Sequence, residues 1–266
     1  MHQLSRQIRF AINPSAKPSE MGANSYCAKP TATGLAFYFA LWVELKSSAN
    51  PDTGFVINVS DIDKIVRDKA IGLFSDFVKK RSNNGFEAIG KLLGEVWRKT
   101  ETDFSHAKIN SLTVELAPAR KITIKERNSK MLYFSEKFEF SASHTLWNKK
   151  FSEKENFKIF GKCANKCGHG HNYIVEVTIK KNQQSRDRKG AVRAGDFERI
   201  VDKHFIRLVD HKNLNADVKH FKKANPTVEN IAEFAFKSLR NKFKPLKLDC
   251  VTVWENDRTF CSYKAD

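Results

Sequence analysis

The 266-residue chain carries 47 Lys and Arg against 30 Asp and Glu, a net charge of +17, with 41% hydrophobic residues and 21 Phe. That apolar content can fill one large core or two ordinary ones and excludes wholesale disorder. The positive charge is spread, +7 before residue 131 and +10 after it, with no basic arm, helix-turn-helix or RNP-type motif, so no nucleic-acid partner is expected.

The start, MHQLSRQIRF, lacks the apolar stretch of a secretory signal, and the longest apolar run, Gly34 to Leu45, is too short to span a bilayer. The five cysteines (Cys27, Cys163, Cys167, Cys250, Cys261) are odd in number and without framework spacing. Reduced thiols in a cytoplasm, away from any membrane, are the expectation.

In chain order, Gln7–Ile12 and Ala36–Lys46 read as strands. Ser60–Phe77 and Phe86–Trp97 read as helices, and SLTVELAPARKITIKE supplies two closing strands. A linker falls near Lys125–Lys130. Leu132–Ala142 then alternates as a strand and Asn172–Lys180 as another, followed by the polar loop NQQSRDRKG. Asp196–Leu208 has helical spacing with Asp196 as N-cap. NPT opens a second helix, with Thr227 as N-cap and Glu229 in its first turn. Leu248–Trp254 and Thr259–Lys264 close the chain as strands.

Both halves therefore run strand, strand, helix, helix, strand, strand. Phe10 lines up with Phe140, Lys46 with Lys180, Ile65 with Ile200, Glu87 with Glu229 and Glu115 with Glu255. An ordered series of this kind favours a tandem duplication. The expected fold class is α+β, with two domains, 1–127 and 128–266, each an antiparallel four-stranded sheet with two helices on one face. Such small sheets leave edges exposed, so oligomerisation is expected.

The chemistry concentrates in Phe140–Tyr173, FSASH followed by GKCANKCGHGHNY. His169 and His171, two apart on a strand, face the same way, and His144 ends the preceding strand. Three imidazoles with an open fourth position are the ligand set of a catalytic zinc. A closed structural site of Cys163, Cys167, His169 and His171 is the competing reading. Asp210 and His211, in LVDHKNLN, could form a proton-transfer pair. Glu255 could accept paired hydrogen bonds from a guanidine-like ring edge.

Taken together, FSASH, GKCANKCGHGHNY, LVDHKNLN, NPTVEN and VTVWEN resemble, in order over residues 131–266, the 6-pyruvoyltetrahydropterin synthase family. The resemblance implies a T-fold, Zn2+ on His144, His169 and His171, and a catalytic triad of Cys163, Asp210 and His211. It also implies pterin contacts from Thr227, Glu229 and Glu255, with Glu255 anchoring the ring.

The activity implied is that of a lyase releasing triphosphate from 7,8-dihydroneopterin triphosphate, as in tetrahydrobiopterin biosynthesis. The related 6-carboxytetrahydropterin synthase of queuosine biosynthesis, which releases acetaldehyde, is an alternative, as is a non-catalytic zinc-containing pterin-binding module. The Cys163-x5-His169 spacing looks more like the pyruvoyl enzyme.

The first half has lost the site by this alignment: Pro14, Leu35 and Phe37 stand at the histidine positions, and Ser75 and Asp76 replace Asp210 and His211. Because the family's cysteine works with the Asp-His pair of a neighbouring subunit, a homotrimer is the expected assembly.

Overall fold

A computed structural model of the chain describes residues 1–15, 35–80, 85–125, 131–182 and 193–264. Cys27, linker residues 126–130 and loop residues 183–190 lie outside the described residues. The chain divides into two compact units, Met1–Phe134 with Lys181–Ala191, and Ser135–Lys180 with Val192–Asp266. No helix among the described residues is long and apolar enough to cross a membrane.

The first unit contains β1 (His2–Ile12), β2 (Phe37–Ser47), α1 (Val59–Lys69), α2 (Ile71–Lys79), α3 (Phe86–Thr100), β3 (Lys108–Ala117) and β4 (Arg120–Lys125). The strands pair antiparallel in the order β1-β2-β3-β4. Alternation sends Ile8, Phe10, Leu41, Val43, Leu112 and Val114 to the buried face, and Gln7, Trp42, Thr113 and Glu115 to the other.

The buried face meets Ile62, Val66, Phe74, Leu93 and Val96 of the helices, all 0–1% exposed. Asn58 caps α1 by accepting from the Ser60 amide. The single helix expected over Ser60–Phe77 is interrupted at Ala70, which ends α1 and precedes α2.

The second unit draws on β5 (Met131–His144), α4 (Glu153–Phe160), β6 (His169–Asn182), α5 (Ala194–Val201) and α6 (Arg207–Val209). They are followed by β7 (Lys212–Asn213), α7 (Leu214–Asp217), α8 (Val228–Leu239), β8 (Lys247–Asn256) and β9 (Thr259–Tyr263). A π-turn, Asp202–Ile206, joins α5 to α6.

Two details depart from the expected four-stranded sheet. The two-residue β7 pairs parallel with β5, Ala142 opposite Lys212, adding a fifth strand to this unit. In addition, the first residues of β5 and the last of β6 belong to the first unit. The helix expected from Asp196 starts earlier, with Arg193 as N-cap and Asp196 in the first turn. Thr227 caps α8 as expected. The capping box Ser152-x-x-Glu155 starts α4, for which no helix was expected.

The internal pairing of the two units repeats residue by residue. The β2-β3 ladder shifts register between Glu44 and Leu45, the β6-β8 ladder between Thr178 and Ile179. The β3-β4 ladder skips Leu116, the β8-β9 ladder Glu255. Hydroxyl pairs recur across these ladders, Thr113–Thr123 at 2.8 Å and Thr252–Ser262 at 2.7 Å.

Aromatic clusters recur as well. Phe10 packs on Phe39 and edge-on to Phe74; Phe140 stacks on Tyr173 and meets Phe205 edge-on. By these ladders Glu115 matches Trp254, and the counterpart of Glu255 is Leu116. The expected pairing of Glu115 with Glu255 is thus displaced by one residue, which puts the two carboxylates on opposite sheet faces.

Candidate active site

β5 and β6 deliver the histidines. Inward positions on β5 are Phe140, Ala142 and His144, and on β6 His169, His171 and Tyr173, an alternation the strand enforces. Gly168, just before β6, has φ +73, and a Cβ there would lie 3.0 Å from the His144 carbonyl oxygen. Glycine therefore permits both the turn and the close approach of the two strands.

His144 is 1% exposed, and its Nδ1 donates to the Pro226 carbonyl at 2.7 Å. The neutral ring then directs its Nε2 lone pair inward, 3.1 Å from His169 Nε2. Burial holds the pKa of His144 below the ordinary histidine value, and that of His171 as well.

The carboxylate of Glu255 joins this group. Its Oε1 lies 3.2 Å from His171 Nε2 and 3.5 Å from His144 Nε2. The approach to His171 is close enough for an ion pair, but its angle makes no hydrogen bond, and His171 Nε2 is a buried nitrogen without a hydrogen-bond partner. His169 Nδ1 and Tyr173 OH are buried in the same state. One donor atom from each of His144, His169, His171 and Glu255 falls within 4.8 Å of the others. Neutral imidazoles and one carboxylate, partly buried with inward lone pairs, suit a divalent zinc-like cation.

Cys163 sits in the 3-10 turn Gly161–Ala164, where its carbonyl accepts from the Leu146 amide at 2.8 Å. Burial first, then the Glu255 charge, push the Cys163 thiol pKa up. Without a cation its surroundings oppose the thiolate. Cys167 is exposed.

Asp210 ends α6, where its carboxylate accepts from the Ser141 amide at 2.9 Å and lies 2.9 Å from His211 Nδ1. The Ser141 amide above all, with help from His211, holds the Asp210 carboxyl below its usual range. His211 has φ 55 and a side chain 84% exposed, and its amide donates to the Ser141 carbonyl. His171 and His211 line one groove of about 430 Å³ with Ser141 and Asn172.

Thr227 uses its hydroxyl to accept from the Asn230 amide, and Glu229 is exposed in the first turn of α8. Neither side chain hydrogen-bonds or ion-pairs with the histidines; the segment reaches the cluster through the Pro226 carbonyl. Two participants were not anticipated as neighbours of the imidazoles, the Glu255 carboxylate and the Tyr173 hydroxyl. Strand alternation from His171 to Tyr173 was the available signal for the second.

Among the described residues, the first unit offers no parallel. Leu35 and Phe37 are 95% and 55% exposed. Ser75 lies buried inside α2, whereas the residue capping that helix, as Asp210 caps α6, is Lys80. Ser75 and Asp76 therefore do not occupy the place of Asp210 and His211.

Residues 133–266 match the family model described as 6-pyruvoyl tetrahydropterin synthase, and the chain belongs to this family of lyases. Among relatives, the human 6-pyruvoyl tetrahydrobiopterin synthase is 37% identical over 133 residues, 50% of this chain and 90% of that protein. The Drosophila melanogaster 6-pyruvoyl tetrahydrobiopterin synthase is 34% identical over 126 residues, 47% of this chain and 74% of that protein. The solved structure of Caenorhabditis elegans 6-pyruvoyl tetrahydropterin synthase covers 51% of this chain and 96% of its own, with 30% identity and a TM-score of 0.47.

Proposed function

We propose that residues 128–266 are a zinc-dependent lyase domain converting 7,8-dihydroneopterin triphosphate to 6-pyruvoyltetrahydropterin and triphosphate. Residues 1–127 are proposed as a second, degenerate T-fold domain. The observation that carries the first reading is the partly buried imidazole cluster with its inward nitrogens. The repeated ladders, register shifts and aromatic clusters support the second.

His144, His169 and His171 would hold the zinc, which when bound makes C–H bonds beside the substrate's side-chain oxygens more acidic. Glu255 accepts from the amino and ring N–H edge of the pterin. Cys163 takes a side-chain proton and returns it elsewhere on the same molecule.

The electrons released as the side chain becomes a diketone pass to the ring, so no external oxidant is needed. The C–O bond to triphosphate breaks and the group leaves with its oxygen. Asp210 orients His211 for proton transfer in the site of a neighbouring subunit, to which a side chain 84% exposed is accessible. Thr227 and Glu229 border the pterin from the start of α8.

That division of labour calls for a homotrimer in which second units neighbour one another, acting in the cytoplasm. Inorganic triphosphate should be released from dihydroneopterin triphosphate, stop on chelation and resume with added zinc. Release that persists in the chelated protein would refute the reading.

A further inference from the structure

Tyr173 is 0% exposed, and its hydroxyl has no hydrogen-bond partner. A buried hydroxyl left in that state is destabilising, so a sequence gains by replacing it with Phe unless another state of the protein uses it. Phe39, its counterpart in the first unit, shows that the fold accepts a phenyl ring in that position.

The ring lies between two functional groups. Its centroid is 5.4 Å from that of His171, while Ile174 pairs with Trp254, so that Tyr173 and Glu255 are the next residues towards the histidines on adjacent strands. The Glu255 carboxylate is meanwhile turned onto His171 and His144. A cation held by those nitrogens would balance the carboxylate's charge and leave it an oxygen able to accept a hydrogen bond.

We infer that Tyr173 is a positioning residue of the metal centre, its hydroxyl donating to Glu255 once a cation occupies the three imidazoles. This rests on the zinc reading above but not on turnover. It gives the hydroxyl an acceptor in the loaded state and fixes a carboxylate that must stand beside both cation and pterin ring. Donors behind a metal site commonly change affinity by 10–100-fold when removed.

The test is zinc affinity, by competition with a chromophoric chelator, for wild type, Tyr173→Phe, Glu255→Gln and the double variant. Tyr173→Phe should bind zinc about tenfold more weakly, and the double variant no more weakly than Glu255→Gln alone. Metal-free Tyr173→Phe should melt no lower than metal-free wild type, since no hydrogen bond is lost there. Wild-type affinity in Tyr173→Phe, multiplying losses in the double variant, or a metal-free melting point well below wild type would each overturn the inference. A wild type that takes up no zinc would overturn the metal centre itself, a different failure.

Discussion

His144 and Pro226, 82 residues apart in sequence, are joined by a 2.7 Å hydrogen bond from the imidazole Nδ1 to the backbone carbonyl. The bond fixes the tautomer of a buried histidine and couples the start of α8 to the imidazole cluster. Metal analysis of purified protein should therefore find one zinc per chain, lost in His144→Ala. Cys167→Ser should keep it, because Cys167 is exposed. Retention in His144→Ala with loss in Cys167→Ser would favour the closed site of Cys163, Cys167, His169 and His171.

The two glycines around His169 should respond differently to alanine. Gly168 has φ +73, and a methyl group there would meet the His144 carbonyl oxygen at 3.0 Å, whereas at Gly170 the nearest atom, the Ala142 carbonyl oxygen, would be at 3.5 Å. Gly168→Ala should cost roughly 1–3 kcal/mol in denaturant melts and weaken zinc binding. Gly170→Ala should be mild in both measurements. Equal effects would contradict this account of the strand approach.

Asp210 makes stability depend on pH in a defined direction. Its folded pKa lies below the ordinary carboxylate value, chiefly through the Ser141 amide. Its stabilisation is therefore present above the unfolded pKa of about 3.9 and lost as pH falls through the lower folded value. Urea midpoints should show wild type above Asp210→Asn at pH 7, with the gap closing below about pH 4. A gap that widened on acidification would contradict the assignment.

Much of this site was legible in sequence because strands translate spacing directly into direction. His169 and His171 had to share a face, and a third imidazole from His144 had to come from the neighbouring strand. What escaped depends on single-residue irregularities. The register shift that skips Glu255 in the β8-β9 ladder also skips Leu116 in β3-β4, so matching Glu115 to Glu255 by residue type was off by one. The slip of Ser75 and Asp76 is larger, since the residue in the place of Asp210 is Lys80, five positions on. The place of Glu255 among the imidazoles, like the Pro226 bond, is a tertiary contact that strand spacing cannot express. The capping box at Ser152 was readable in sequence and points to the start of α4.

Cys163 carries the central claim, since its carbonyl ties the 3-10 turn to Leu146 and its thiol feels Glu255. The most direct test is product analysis after zinc-loaded wild type, Cys163→Ala and Cys167→Ala meet 7,8-dihydroneopterin triphosphate. Wild type should form one 6-pyruvoyltetrahydropterin per triphosphate released. Cys163→Ala should bind zinc but lose at least about a hundredfold in rate, as expected for removal of a proton-transfer group, and Cys167→Ala should retain most of it. Acetaldehyde among the products would move the chain to the 6-carboxytetrahydropterin reaction. No turnover by wild type, or full turnover by Cys163→Ala, would contradict the account.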